Sequence, residues 1–352
     1  ASYAQQVASV SGTSSVTDSG TAATFTVNNS GADTFAGTLT GTNLALTKIG
    51  SGTLTLSGIN TYSGITTINA GTLYISADSG LGTAPVSATP GQLAFGGGTL
   101  ETSGSFILNA NRGIALNAGG GTISTDVGAI LTYNGIMAGS DAFTKAGTGT
   151  LILGGANAYS GGTTVSGGVL QNALVNALPI GTALTVSGGN FDLAGYAQQV
   201  ASISGTSAIT DSGTAAIFTV NNSGADTFAG TLTGSLALTK SAAGTLTLTN
   251  SNTYSGATTV SGGVLANGIA NALPTSTALT VSGGNFDLSG YAQQVASVSG
   301  TSSVTDSGAA ATFTVNNSGA DTFAGTLTGS LALTKSAAGT LTLTNSNTYS
   351  GA

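Results

Sequence analysis

Cysteine, histidine and tryptophan are absent from this chain of 352 residues, methionine occurs once, at Met137, and only 5% of residues carry a charge. Each absence closes a class of function. Without cysteine there is no disulfide framework and no thiol nucleophile, although a long solenoid needs no such staples even outside the cell. Without histidine, a serine has no imidazole to accept its proton. An ordinary soluble domain is about 25% charged, so this surface is nearly neutral. Five basic residues, Lys48, Arg112, Lys145, Lys240 and Lys335, match a phosphate backbone poorly and argue against nucleic acid. No run approaches the ~20 apolar residues of a spanning helix, and no basic amphipathic helix offers itself to a membrane surface.

What is present is glycine, 56 residues of it, with serine, threonine, asparagine and alanine. Hydrophobic residues still make up 40% of the chain, which is too many for a disordered polymer. They alternate. In Ala23–Asn28, Phe25 and Val27 share one side while Thr24 and Thr26 share the other; in Thr53–Ser57 the leucines oppose the threonines. That period of two marks strands with one buried face. No window carries a helical stripe. The net charge of -7 comes from thinly spread acids, eleven Asp and the single Glu101.

Strands broken by Gly, Asn, Asp and Ser are compatible with a sandwich or a solenoid, and the repeat decides. Lys48, Lys145, Lys240 and Lys335 stand 97, 95 and 95 residues apart. Recurring strand–turn units without linkers suit coils stacked on one axis. We therefore expect an all-β chain, one continuous β-solenoid over 1–352, with periods near 3–98, 99–195, 196–290 and a truncated 291–352. Each period should hold roughly four coils of ~20–25 residues. The chain opens and closes inside a repeat, so it reads as a piece of something longer. The second period diverges and carries both Glu101 and Met137. The third and fourth are near copies: 196–257 and 291–352 differ at five positions. Ile203/Val298 and Ile209/Val304 keep branched apolar shape, as a packed inner face tolerates, whereas Ile217/Thr312 should face solvent.

The stretch Leu-Thr-Lys-x-Gly-x-Gly-Thr-Leu-x-Leu-x-Gly-x-Asn-Thr-Tyr-Ser-Gly at 46–64 resembles the passenger-associated transport repeat of autotransporters. Further copies stand at 144–162, 239–256 and 334–351. The resemblance implies a right-handed parallel β-helix, secretion by a Gram-negative bacterium and display at the outer surface. Its repeat residues, Lys48, Tyr62, Lys145, Tyr159, Lys240, Tyr254, Lys335 and Tyr349, are expected to be structural. Two copies read Lys-Ser-Ala-Ala-Gly, at Lys240 and Lys335, in place of Lys-x-Gly-x-Gly, and those two turns are expected to differ slightly.

Candidates for chemistry are few. A Ser–Lys pair could be built around any repeat lysine, but a lysine ending a strand at a corner is the simpler reading. Asp18 and Asp33, repeated as Asp211/Asp226 and Asp306/Asp321, could form a glycosidase pair; both lie in turn contexts that favour Asp for bonding its own backbone. Asp192 and Asp287 lie in Ser-Gly-Gly-Asn-Phe-Asp-Leu, which lacks the third Gly of the calcium nonapeptide and places Asp one position early. Thr-x-Thr runs invite an ice-binding reading, yet they recur about once per period, so the threonine rank should be broken. The motif tyrosines could make a ladder for glycan stacking, or pack over the adjacent coil with wet hydroxyls. We therefore expect no catalytic residue, cofactor or metal. The partner would be a host or neighbouring-cell surface, in an adhesive stalk, or the chain itself, in an end-to-end or lateral filament.

Overall fold

A computed structural model describes residues 4–351; Tyr3, which opens the first period, and Ala352, which ends the truncated last one, lie outside the described residues. The chain forms two compact units, Ala1–Pro179 and Ile180–Ala352. Both are parallel β-solenoids, with about 17 turns between them and about 20 residues per turn.

In the first unit one eight-stranded ladder takes Gln5–Val7, Ala23–Asn28, Leu44–Ile49, Thr66–Ile68, Thr89–Phe95, Arg112–Leu116, Met137–Gly139 and Ala158–Tyr159. A second takes in Ala32–Phe35, Thr53–Leu56, Thr72–Ile75, Thr99–Thr102, Gly121–Thr125, Phe143–Ala146 and Thr163–Val165. A third holds Phe106–Leu108, Ile130–Tyr133, Thr150–Leu153 and Gly168–Asn172. The second unit repeats the plan. Its longest ladder runs from Gln198–Val200 through Ile217–Val220, Ala237–Lys240, Thr258–Val260 and Ala278–Val281 to Thr340–Leu343.

Register follows the alternation. A strand whose even positions are apolar can bury them only if every turn stacks like on like, because a slip of one residue would turn the whole set outward. Leu54, Leu73, Leu100 and Ile123 accordingly form one inner column, and Val200, Val220, Lys240, Val260 and Val281 form another. The near copies obey the same rule. Ile203 and Val298, like Ile209 and Val304, are buried, while Ile217 is 51% exposed beside the buried Phe218 and Val220.

The long spacing is not a structural unit; the turn is. From Lys48 one ladder passes through Ile68, Phe95, Leu116 and Gly139, four turns on. Lys145 lies beyond Gly139, on the next ladder, paired with Ile123 and Val165. In the second unit the ladder from Lys240 reaches Phe323 after four turns. Lys335 again lies on another ladder, beside Val315. Within each unit the two copies of the motif therefore occupy different faces, because ~95 residues is not a whole number of turns.

One turn is longer than the rest. Between Ile75 and Thr89 the chain leaves the coil through a 3-10 turn, Asp78–Leu81, the one helical element among the described residues. Arg112 holds it: Nε bonds Asp78 Oδ1 at 2.9 Å and Nη2 bonds Oδ2 at 3.1 Å. The same guanidinium donates to the carbonyls of Leu81 and Gly82. This bidentate pair is the single salt bridge among the described residues, and a buried Arg is tolerable only with its donors met in this way.

Candidate functional site

The motif lysines are not corner charges in water. Lys48, Lys145 and Lys240 are fully buried, at 0% exposure, inside the apolar columns. Each runs its methylenes along the core and turns its ammonium onto corner carbonyls. Lys48 Nζ donates to Ile49 O and Gly50 O, both at 2.8 Å, and to Ala70 O at 3.4 Å. Lys145 repeats this with Ala146 O, Gly147 O and Gly167 O at 2.5, 3.2 and 3.3 Å. Lys240 does so with Ser241 O, Ala242 O and Gly262 O at 2.7, 3.0 and 3.2 Å. Lys335, half-buried, bonds Ser336 O and Ala337 O, and takes its third carbonyl from Asn317 of the preceding turn. An ammonium has three donors and no acceptor, so three carbonyls satisfy it. Burial lowers the Lys48 and Lys240 ammonium groups below the usual lysine range and takes Lys145 down to about 8.

The Ala-for-Gly copies do not change the turn. Ala242 and Ala337 adopt φ of 60° and 59°, close to the 78° of Gly50 and the 70° of Gly147. The residue two beyond each lysine presents its carbonyl to Nζ in all four copies, and that requirement overrides the steric preference of alanine.

The tyrosines offer no glycan ladder. Tyr62, Tyr159 and Tyr254 are buried, and their hydroxyls bond Thr66, Thr163 and Thr258 at 2.7, 2.6 and 2.6 Å. Those hydroxyls are not wet: desolvation pushes the Tyr62 phenol up to about 12 against the opposing bond to Thr66, and raises Tyr159 and Tyr254 further. Tyr349 is half-buried.

Sequence reading missed the motif asparagine, two residues before each tyrosine. Asn157 Oδ1 accepts the Met137 amide at 2.7 Å, one turn back, and Nδ2 donates to Ala177 O at 2.8 Å, one turn forward. Asn60 and Asn252 make the same three-turn bridge, through Leu39 N and Gly80 O and through Leu232 N and Ala272 O. Its recurrence at fixed distance from the lysine was the available signal.

The acidic candidates are turn residues. Asp211 Oδ1 accepts from Gly195 N and Gly213 N, and Oδ2 from Ala216 N and Ser235 Oγ. Asp306 accepts from Gly290, Gly308 and Ala311. Asp33, Asp226 and Asp321 each accept one backbone N–H, from Val10, Ile203 and Val298, and Asp18 takes the Gly20 amide. Asp211 and Asp226 sit on different ladders, as do Asp306 and Asp321. Asp192 and Asp287 are occupied by the backbone and hydroxyl of Ser212 and Ser307. No cluster of three metal-ligating side chains occurs among the described residues.

The outer faces overturn one expectation. The threonine rank is not broken. Thr53, Thr72, Thr99, Thr122, Thr144 and Thr164 stand in register, one per turn. In the second unit Thr219, Thr239, Thr259 and Thr280 do likewise, followed by Ser299. Counting per period obscured this, because threonines from unrelated parts of the period meet across turns. In the first rank the neighbouring column carries Tyr74 and Glu101. Elsewhere on the first unit a groove of about 530 Å³ opens between Pro90, Asn111, Ala115, Ile136 and Ala138, with no ionisable group in its lining.

Comparison with known proteins agrees with this geometry. The family described as Passenger-associated-transport-repeat matches residues 46–75, 143–171, 238–266 and 333–352, the four lysine–asparagine–tyrosine segments. A Brucella suis protein, "Adhesin BmaC autotransporter", is 35% identical over 256 residues, covering 69% of this chain and 7% of that relative. The chain is an autotransporter passenger segment with passenger-associated transport repeats. It spans a small part of the length of the relative it matches, and no solved structure matches it. In the first three copies of the repeat, one buried ammonium and one buried carboxamide tie neighbouring turns together, and one buried phenol bonds a threonine four residues on.

Proposed function

We propose that the segment is a non-catalytic, adhesive part of a right-handed passenger displayed on the outer surface of a Gram-negative bacterium. The observation that carries this reading is its 35% identity to an autotransporter named as an adhesin. The surface chemistry supports it. The buried motif residues are committed to internal bonds, while the outer faces repeat uncharged hydroxyls once per turn. A weak contact multiplied along such a rank gains avidity without any strong single site.

The test is adhesion of beads coated with the purified chain to cultured mammalian cells, with light-scattering mass alongside. The reading expects saturable bead binding by a monomer, reduced when Thr219, Thr239 and Thr259 are changed together to Asp. No binding above that of albumin-coated beads would sink the adhesive role. Long fibres in place of monomers would make a self-assembling filament the better account.

A further inference from the structure

The pair Asn–Gly occurs twice in the chain, at Asn134–Gly135 and Asn267–Gly268. Asparagine is a chemically labile residue, and glycine after it puts no Cβ in the way when its backbone nitrogen turns back on the carboxamide. The fold treats the two pairs oppositely. Asn267 ends the strand Gly263–Asn267 and is 2% exposed. Its Nδ2 donates to Gln293 Oε1 at 3.3 Å, and the Gly268 amide is held on Leu248 O at 2.8 Å. Asn134 follows the strand Ile130–Tyr133 and is exposed. Among the described residues, neither its carboxamide nor the Gly135 N–H has a hydrogen-bond partner. Gly135 is buried beneath its neighbours, but both residues line the groove of about 530 Å³, which brings solvent to them.

We propose that Asn134–Gly135 is a site of spontaneous deamidation that gives the groove a carboxylate, while the fold protects the same pair at Asn267–Gly268. The Gly135 nitrogen attacks Asn134 Cγ. The Cγ–Nδ2 bond breaks, and Nδ2 leaves as ammonia with the proton that the Gly135 N–H gives up. Water then opens the cyclic imide. Hydrolysis at Cγ leaves an aspartate, and hydrolysis at the backbone carbonyl leaves an isoaspartate, in which the main chain runs through Cγ. Either product sets a negative charge in a lining that has no ionisable group. The isoaspartate also lengthens the main chain by a methylene between Tyr133, whose hydroxyl bonds Ile136 O at 3.1 Å, and the strand Met137–Gly139. At Asn267 the same attack requires the Gly268 amide to leave Leu248 O and the strand end to open, so it waits on local unfolding. The groove thus gains charge with age and without an enzyme.

Ageing the full folded chain at pH 8 tests this. Both pairs are followed by mass spectrometry of proteolytic peptides, with fragmentation that separates aspartate from isoaspartate. Deamidation at Asn134 is expected to run at least about tenfold faster than at Asn267, whose strand must open first. In concentrated urea, where neither pair is held, the two rates should come together. Asn134→Gln is an exposed change that lengthens the side chain and disfavours ring closure. It should remove most of the acidic species that isoelectric focusing resolves in aged wild type. An Asn134 that stays intact in the folded chain would overturn the proposal. So would equal rates at the two pairs in the folded chain, or an acidic species undiminished in Asn134→Gln.

Discussion

Lys145 Nζ lies 3.3 Å from the carbonyl oxygen of Gly167, a residue one full turn farther along the coil. Its other two bonds close the corner that its own strand has just made. One side chain thus serves as core filler, corner cap and inter-turn bolt. Removing the parts separately tells them apart. Lys145→Met keeps the stem and strands the carbonyls, at a cost of about 1–2 kcal/mol. Lys145→Ala also opens a cavity and should cost about 3–5 kcal/mol. Loss of amide protection in Phe143–Ala146 and Thr163–Val165, greater for Ala than for Met, is the readout.

The same lysine makes a pH prediction. Burial lowers its folded-state value to about 8, from an ordinary 10.5. The unfolded chain then holds more protons than the folded one between those values, so stability rises with pH across that window and is lost on returning below it. The gain is on the order of 1–2 kcal/mol after allowance for water at the corner. Denaturant unfolding at pH 7.5 and pH 9 should show the gain in wild type and a smaller one in Lys145→Met, which keeps the contributions of Lys48 and Lys240.

Ala242 offers a stabilising change. It sits at φ 60° where two sister turns have glycine. A left-handed L-residue costs about 1–2 kcal/mol, part of which glycine returns as unfolded-state entropy. Ala242→Gly is therefore expected to stabilise the second unit by about 0.5–1 kcal/mol, read from its melting. The reverse change, Gly147→Ala, should destabilise the first, since an added Cβ would meet Thr125 O at 2.3 Å.

Asn157 joins three turns with one carboxamide, and Asn157→Ala would leave a buried amide and a buried carbonyl unmet. The expected loss is about 2–4 kcal/mol. Asn157→Asp should recover little, because a carboxylate cannot donate to Ala177 O. Exchange of the Met137 amide, the donor that loses its acceptor, is the direct check.

Phenol ionisation separates the tyrosines. Tyr62, Tyr133, Tyr159 and Tyr254 are raised by burial, Tyr62 to about 12 and the others higher. Ultraviolet titration should therefore show a late group that ionises only as the coil unfolds. Tyr159→Phe should remove one member and cost about 1 kcal/mol through the lost bond to Thr163.

The strands, their buried faces and the solenoid were legible because alternation of Leu with Thr has only one stable use, and because the motif recurs. The buried destination of Lys48 was not. A lysine in a strand reads as charge, and nothing local shows that three carbonyls from two turns will converge on its ammonium. The wet tyrosine hydroxyl failed for the same reason, since Thr66 lies in the next strand. The unbroken threonine rank was hidden by arithmetic. Thr72 and Thr99 belong to no common motif, and only the turn length, itself lengthened at Asp78–Leu81, brings them into register.

The placement of motif copies on different ladders changes what duplication does. Copying a segment of ~95 residues does not extend a row of identical faces, because the new copy emerges at a different azimuth about the coil. Within each unit, a surface approaching from one side meets one copy and a surface approaching from another side meets the other, so doubling the motif inside a unit gives that unit two faces instead of one longer face.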